Sequence, residues 1–434
     1  MLASEIYIRK KIRKDAFLSD IFNMSKKSGK NKKNTKKIEI KKLFNKKTII
    51  YSISTLCAIL LIIGICVGVK INRKRKADRT VRVAFYGLSQ EMTELLKAQI
   101  PQEENIILDF DVISEGDFDL QIIKAKYDML FTWNGEITSA LSGVAEDIPA
   151  KVLETIPSSL RNKKCIPIVL DHCELAFSTE VMNKIKLEIP MSYKGLTDYL
   201  NTAKGAVFSP FFCNGAENRI LIDFIGALVM AKGGLSSYDK LIEELRKAEN
   251  LESVIDVVLD GQNLTLHSIL DELTTWPKEG LTHPAWFNGK GNDLLFFAED
   301  KQLSCFFTLL SEHRKIPYNV IKNYESSLMP TDKNAENYGL IAPAVSVMLL
   351  SDNSNSKRYV GAFFTEDAQT LLSDKTALAP VHYRAQAYDR QADDVRFWAA
   401  SCKGGAQPDL YYAVYQRRPD DLIKMCSEIR NYVR

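Results

Sequence analysis

The residue types in this chain give little sign of catalysis. Its five histidines include no HEXXH pair, no two cysteines have CxxC spacing, and neither GxSxG nor GxxxxGK followed by Ser or Thr occurs. These absences exclude the common signatures of zinc proteases, serine hydrolases and nucleoside triphosphatases. The residues therefore predict no catalytic residues, no cofactor and no metal, while other kinds of chemistry stay open.

Side chains suited to contact with a small polar molecule follow two of the predicted strands. Trp133 and Asn134 end or follow the apolar run YDMLFTW, and Asn214 and Glu217 lie between another strand and a helix. Ligands of α/β sheets bind at the carboxyl ends of the strands, so these positions favour ligand contact. The competing roles are packing of Trp133 in a core and capping of the helix that follows Glu217.

The elements that would position these residues alternate between strand and helix. Residues 81–87, 106–113 and 127–133 have strand character, and Ser89 is a candidate N-cap for the helix after the first of them. Further strands are predicted at residues 165–171, 303–310 and 338–350, with a long apolar helix at 219–234. This order predicts an α/β fold with a parallel sheet.

Residues 48–69 read TIIYSISTLCAILLIIGICVGV, a run of 22 residues without a charge. As a helix rising about 1.5 Å per residue, this run spans a hydrocarbon layer of roughly 30 Å. It predicts one transmembrane helix, with the lipid bilayer as a partner. We expect residues 1–47 to be a basic, disordered cytoplasmic tail and residues 70–80 a basic linker. A cleaved signal peptide and a lipid anchor at Cys66 are the alternatives.

The net charge of +4 divides into two opposite parts. Residues 1–79 hold 22 basic and 5 acidic side chains, whereas residues 80–434 hold 36 basic and 49 acidic ones. The basic excess belongs to the anchor and its flanks, so it is no argument for nucleic-acid binding. We expect the acidic part outside the cytoplasm, in a periplasm or at a cell surface. Its six cysteines could form disulfides or remain buried thiols.

Four passages of the acidic part together resemble a known family. They are, in chain order, YDMLFTWNGEITSALSG, IPIVLDHCELAFST, IPMSYKGLTDYL and RYVGAFFTEDAQTLLSDKTALAPVHYRA. The set is similar to the type 1 extracellular solute-binding proteins of ABC importers, a group that includes carbohydrate binders. Tyr127 and Tyr193 stand where that group commonly has Pro and Trp. The order of the passages, across most of residues 81–400, is more specific than any one of them.

The resemblance implies a two-lobed clamshell that closes over a ligand by hinge motion. The first lobe would hold about residues 81–176 and 301–350, and the second about 177–300 and 351–434. The resemblance also implies a protein that works by binding and is not an enzyme. A carbohydrate ligand, ABC permease subunits as partners and a monomeric protein are implied as well.

The resemblance also adds candidates for ligand contact. Asp171 and His172 lie where the chain would cross between lobes, and a hinge hydrogen bond or a helix cap is their competing role. Tyr383 and Arg384 match the loop after the family's C-terminal helix, and a surface salt bridge is the alternative for Arg384. Trp286 lies in a segment rich in Pro and Gly, where it either reaches the cleft or covers a core. The full candidate set is Trp133, Asn134, Asp171, His172, Asn214, Glu217, Trp286, Tyr383 and Arg384.

These observations predict a membrane-tethered extracytoplasmic solute-binding protein that captures a small polar ligand, with a carbohydrate favoured, for an ABC importer. Two other functions remain open. The same fold could serve a ligand sensor or scaffold with no role in transport. The chain could also be a membrane-anchored extracytoplasmic enzyme that uses Glu217 or Asp171.

Overall fold

The computed structural model describes residues 79–114, 119–261 and 263–434. The predicted tail, the predicted transmembrane helix and nearly all of the predicted linker lie outside these residues. Within them, no helix combines the length and the apolar character needed to cross a bilayer. The described residues belong to one unit that runs from Arg75 to Arg434.

Twelve strands and sixteen α-helices alternate along the described part of the chain. The strands are β1 (Thr80–Tyr86), β2 (Ile107–Ile113), β3 (Met129–Trp133), β4 (Ile166–Leu170), β5 (Cys173–Ser178), β6 (Ser209–Cys213), β7 (Leu303–Leu309), β8 (Tyr324–Ser327), β9 (Leu340–Ile341), β10 (Ala344–Leu349), β11 (Ala379–Pro380) and β12 (Ala406–Gln407). The helices before β7 are α1 (Gln90–Gln99), α2 (Leu120–Lys126), α3 (Glu136–Ser142), α4 (Ala150–Leu153), α5 (Thr179–Ile185), α6 (Tyr193–Ala203), α7 (Asn218–Gly233), α8 (Leu235–Lys247), α9 (Leu266–Lys278) and α10 (Gly291–Glu299). Those after it are α11 (Leu310–His313), α12 (Tyr318–Ile321), α13 (Ser354–Ala362), α14 (Glu366–Thr376), α15 (Arg390–Ser401) and α16 (Pro419–Val433).

A six-stranded sheet in the order β11-β4-β10-β3-β1-β2 forms the first lobe, together with the helices packed on it. Strand β1 pairs in parallel with β2 and β3, whereas β10 runs antiparallel to both β3 and β4. The predicted parallel sheet is therefore only partly correct. Strand character in a sequence indicates burial, whereas parallel or antiparallel pairing depends on the path that the chain takes between two strands.

A four-stranded sheet in the order β6-β7-β5-β8 forms the second lobe. Strand β5 is antiparallel to β7 and β8, and β6 is parallel to β7. Helix α7 packs on this sheet, and helices α8, α9 and α16 pack on α7. Every residue of α7 from Ile220 to Ala231 is buried, which explains why its sequence is apolar on all sides.

The chain passes between the two lobes at several points. Asp171 and His172 join β4 of the first lobe to β5 of the second. Strand β9 pairs with β12 outside both large sheets, and Pro343 separates β9 from β10. The predicted strand at 338–350 is therefore two strands, since proline lacks the N–H that a continuous strand would use.

Sheet membership differs from the predicted lobe boundaries. Strands β7 and β8, expected in the first lobe, hydrogen-bond within the second sheet, and β5 lies there from Cys173 onward. Helices α13, α14 and α15, expected in the second lobe, pack on strands of the first sheet. The reason is physical. The apolar pattern of a buried strand is the same in either sheet, and only its hydrogen bonds to neighbouring strands show which sheet it belongs to.

The cysteines of the described residues are free thiols. Five of the six are buried, and Cys165 is half-buried. Burial raises the pKa of the Cys165 thiol to about 12 and that of Cys426 likewise to about 12. These side chains pack as small apolar groups, the second of the two possibilities left open by the sequence.

Candidate ligand-binding site

A cavity of about 860 Å³ lies where the two lobes face each other, and we call it the interlobe cavity. The second lobe contributes Thr179, His313, Arg314, Ile316, Tyr318, Ile321, Lys322, Tyr324, Glu325 and Ser326. The first lobe contributes Tyr388, Asp389, Arg390, Gln391 and Asp394. A volume of this size is within the range of small-molecule sites.

Short helices and a helix cap position the charged groups of this cavity. Strand β7 ends at Leu309 and leads directly into α11, whose last turn carries His313 and the following Arg314. Across the cavity, Asp389 is the N-cap of α15 and accepts a hydrogen bond from the Ala392 N–H. Both sides are therefore fixed by backbone structure rather than by long loops.

Ion pairs connect the lobes across the interlobe cavity. Arg314 forms a bidentate pair with Asp389, with Nη1 to Oδ2 at 2.6 Å and Nη2 to Oδ1 at 2.7 Å. Its guanidinium also lies 5.5 Å from the ring centroid of Tyr388. A second pair of reversed polarity joins Arg390 of the first lobe to Glu325 of the second at 3.7 Å.

Aromatic rings and hydroxyls complete the wall. Tyr318 and Tyr388 are 79% and 52% exposed, so each ring has accessible surface for contact with an apolar part of a ligand. Tyr324 is buried, and its hydroxyl donates to the Leu303 carbonyl at 3.1 Å. Burial raises the pKa of Asp394, the carboxylate beside Arg390. Rings, hydroxyls and charged groups on one wall suit a polar ligand that has an apolar face.

Trp133, expected to face a ligand, is half-buried, and another side chain covers one face of its ring. Its ring stacks on Tyr412 with centroids 4.8 Å apart and planes inclined by 12°. Tyr412 in turn lies over the guanidinium of Arg219, 4.6 Å away. This Trp133–Tyr412–Arg219 stack runs from the first lobe to the start of α7 in the second.

Asn134 has a structural bond and also borders a cavity. Its Oδ1 accepts from the Ala344 N–H at 2.7 Å, which ties the end of β3 to β10. The side chain lines a separate cavity of about 430 Å³ walled by hydroxyls and amides.

Asp171 and His172 are buried at the crossing between lobes. The Asp171 carboxylate accepts from the N–H groups of His172 and Ser311, at 2.8 and 3.0 Å, and from the Ser311 hydroxyl at 2.6 Å. Burial raises the pKa of Asp171 and lowers that of His172. These hydrogen bonds lie at the crossing between the lobes, where the competing hinge role places them, and that role stays a prediction.

Asn214 and Glu217 lie together, away from the other candidates. Asn214 Nδ2 donates to Glu217 Oε1 at 2.6 Å, and both residues line a cavity of about 190 Å³. Glu217 is the N-cap of α7 but makes no capping bond through its side chain.

Trp286, Tyr383 and Arg384 take up different environments. Trp286 is 1% exposed and packs against Phe224 and Phe287 in the core. Tyr383 is 52% exposed and stacks on His382, while the exposed Arg384 lies over the Tyr383 ring at 5.6 Å. None of the three cavities is lined by more than one of Trp133, Asn214 and Arg384. Ligand contact by the nine candidates stays a prediction.

Sequence reasoning missed the charged residues that the fold brings together. His313, Arg314 and Asp389 had no motif or spacing that marked them, and Arg314 and Asp389 are 75 residues apart. The one local signal was the sequence DRQAD after Tyr388, in which Asp389 precedes a helical run as an N-cap does.

Comparison with known proteins places the fold in a class. No protein-family model matches the chain, and no curated protein matches it by sequence. Solved structures match at low identity, and among them are a bacterial solute receptor, a putative binding protein and a probable secreted solute-binding lipoprotein. At this identity the likeness concerns the fold alone, and the described residues have the two-lobed α/β fold of that class.

Three of these structures illustrate the likeness. The bacterial solute receptor AcbH, described as exclusively preferring β-D-galactopyranose, has a TM-score of 0.63 at 10% identity, over 82% of this chain and 96% of its own. RafE from Streptococcus pneumoniae has a TM-score of 0.56 at 10% identity, over 82% and 97%. A sugar transporter from Bacillus licheniformis in complex with stachyose has a TM-score of 0.51 at 10% identity, over 81% and 98%.

Proposed function

We propose that this protein is a membrane-tethered extracytoplasmic solute-binding protein that captures a carbohydrate in the interlobe cavity and delivers it to an ABC importer. The ligand would reach the cavity when the lobes separate and would be held between them when they close. Better contacts in the closed state supply the free energy of closure.

The observation that carries the proposal is the make-up of the interlobe cavity. Both lobes contribute to it, and the exposed rings of Tyr318 and Tyr388 stand beside hydrogen-bonding groups such as Ser326 and Gln391. A sugar has an apolar ring face and a rim of hydroxyls, which need these two kinds of contact. The solved structures with the same fold that are named for galactopyranose and stachyose support the choice of a carbohydrate.

Calorimetric titration of the full chain with galactose and stachyose tests the proposal. We expect saturable binding of at least one of them and a smaller radius of gyration in X-ray scattering when it is bound. Tyr388→Ala removes an exposed ring from the cavity and is expected to weaken binding roughly tenfold. Absence of binding by a folded chain to a broad panel of neutral and charged sugars would contradict the proposal.

Two further variants distinguish the interlobe cavity from the ligand site selected from the sequence. Phe397→Ala removes a ring that is 66% exposed on α15 but outside the cavity lining, so binding should be unchanged. Tyr383→Ala removes a ring with the same 52% exposure as Tyr388 at a position selected from the sequence. Loss of binding in Tyr383→Ala alone would favour the sequence-based site over the interlobe cavity.

A further inference from the structure

A buried carboxylate lies directly behind the wall of the interlobe cavity. Glu174 on β5 is fully buried, and one of its carboxylate oxygens bonds to Nδ1 of His313. The other oxygen accepts from the hydroxyl of Ser326 on β8. His313 and Ser326 both line the cavity, so a single hidden group holds two of its wall residues.

The carboxylate fixes which nitrogen of His313 faces it. Burial alone would raise the pKa of Glu174, but the interactions with His313, together with smaller ones from His172 and Ser326, lower it. Within the described part of the chain, no Lys or Arg nitrogen approaches the Glu174 carboxylate within 4.0 Å. Because an ionised carboxylate only accepts hydrogen bonds, Nδ1 must carry a proton toward it.

The other ring nitrogen of His313, Nε2, has no hydrogen-bond partner among the described residues. His313 is only 2% exposed, yet its Nε2 atom makes no hydrogen bond to any described residue. This atom is also not among the completely buried ones. Polar atoms at such depth nearly always have a partner. Since His313 lines the interlobe cavity, a molecule bound there is in a position to supply that partner.

We propose that His313 contacts the solute through Nε2, and that Glu174 is a positioning residue that fixes the orientation and tautomer of the ring. The inference rests on the proposed function of the same cavity. Nε2 accepts a hydrogen bond in the neutral ring and donates one in the charged ring. A hydroxyl can donate to the neutral ring and accept from the charged ring. The group that His313 contacts is therefore a hydroxyl of a polyhydroxy solute.

The test is titration of full-chain variants with stachyose and galactose. His313→Ala should bind at least about tenfold more weakly, the scale of one lost hydrogen bond in a buried site. His313→Gln keeps a polar group there and should recover part of the affinity. Glu174→Ala should weaken binding, and Glu174→Gln, which still accepts from Nδ1, should restore part of it.

His267→Ala is the matched control. His267 also bonds through Nδ1 to a carboxylate, that of Asp256 at 2.7 Å, but it does not line the cavity. Its removal should leave the affinity unchanged.

Nitrogen-15 NMR of the histidine rings keeps the proposal testable if a Glu174 variant fails to fold. In the wild-type chain, saturation with the bound sugar should shift the Nε2 resonance of His313 and leave that of His267 in place. Equal binding by His313→Ala and wild type, with no shift at Nε2, would overturn this inference while the proposed function stands. A wild-type chain that binds no sugar would overturn both.

Discussion

At the residue scale, the feature that most changes the interpretation of the sequence is the Trp133–Tyr412–Arg219 stack. Arg219 also donates to Asp409 through Nε and Nη2, at 3.2 and 2.8 Å. Burial and the neighbouring Asp409 carboxylate raise the pKa of Asp223, one turn along α7. The chain's own Tyr412 thus covers one face of the Trp133 ring, and Trp133 as a whole is half-buried.

Tyr412→Ala tests the contribution of this stack. Removing a ring that is only 5% exposed leaves a void and ends its contacts with Trp133 and Arg219. We expect a loss of about 3–5 kcal/mol in the free energy of unfolding, measured by chemical denaturation. Tyr412→Phe keeps the ring and should lose less than about 1 kcal/mol. Equal losses in both variants would show that the hydroxyl, not the ring, is what matters.

At the scale of elements, the turn between β3 and α3 sets where the lobes meet. Gly135 has φ +152°, and a Cβ built there would lie 2.2 Å from the Tyr412 carbonyl oxygen. The neighbouring side chains reinforce the turn, since Gly135 N–H donates to the Thr138 hydroxyl at 2.9 Å. A residue without Cβ is required because the backbone of the Tyr412 segment approaches so closely.

Gly135→Ala should therefore destabilise the protein strongly. The left-handed conformation and the collision with backbone predict a loss of about 2 kcal/mol or more in the free energy of unfolding. Gly143→Ala, at the other end of α3, is the matched control: its φ is −69° and nothing lies within 4 Å of the added Cβ. Thermal and chemical unfolding of both variants measure the difference. Similar stability of the two would mean that the Tyr412 segment can move away.

At the scale of the whole molecule, the Arg314–Asp389 and Arg390–Glu325 pairs join the lobes across the interlobe cavity. The Arg314 and Asp389 side chains are 20% and 34% exposed, so their pair is partly shielded from salt. The Arg390 and Glu325 side chains are 83% and 47% exposed, and their pair is screened far more. The first pair should therefore hold the lobes together more strongly.

Arg314→Ala should shift the unliganded protein toward separated lobes. A bidentate, partly shielded pair contributes about 1–2 kcal/mol, enough to raise the radius of gyration measured by X-ray scattering. Lys315→Ala, which breaks the Lys315–Glu312 pair within the second lobe, is the control and should leave the radius unchanged. An unchanged radius in Arg314→Ala as well would mean that other contacts hold the lobes.

Much of the fold was predictable at the level of single elements. The predicted strands at 81–87 and 106–113 correspond to β1 and β2, and the apolar helix at 219–234 corresponds to α7. Ser89 caps α1 as expected, accepting from the Met92 N–H at 3.2 Å. The two-lobed α/β architecture implied by the resemblance is confirmed as well. Apolar periodicity and capping are local properties, so the chain reveals them without its tertiary structure.

The candidate site was far less predictable, and the reason is separation along the chain. Glu174 and His313 lie 139 residues apart, and neither sits in a motif. Trp133 was a reasonable candidate from its place at the end of β3, but Tyr412, which stacks on one face of its ring, comes from near the C-terminus. No local sequence pattern predicts which distant segment of the chain will pack against a given ring.

The sequence by itself determined the kinds of elements, their order and the division between a basic N-terminal part and an acidic remainder. Only the tertiary structure decided that β7 and β8 belong to the second sheet, that Tyr412 covers Trp133, and that His313 and Asp389 face one cavity. The physical reason is that burial and periodicity act within a few residues, whereas strand pairing and contacts between lobes depend on where the whole chain returns.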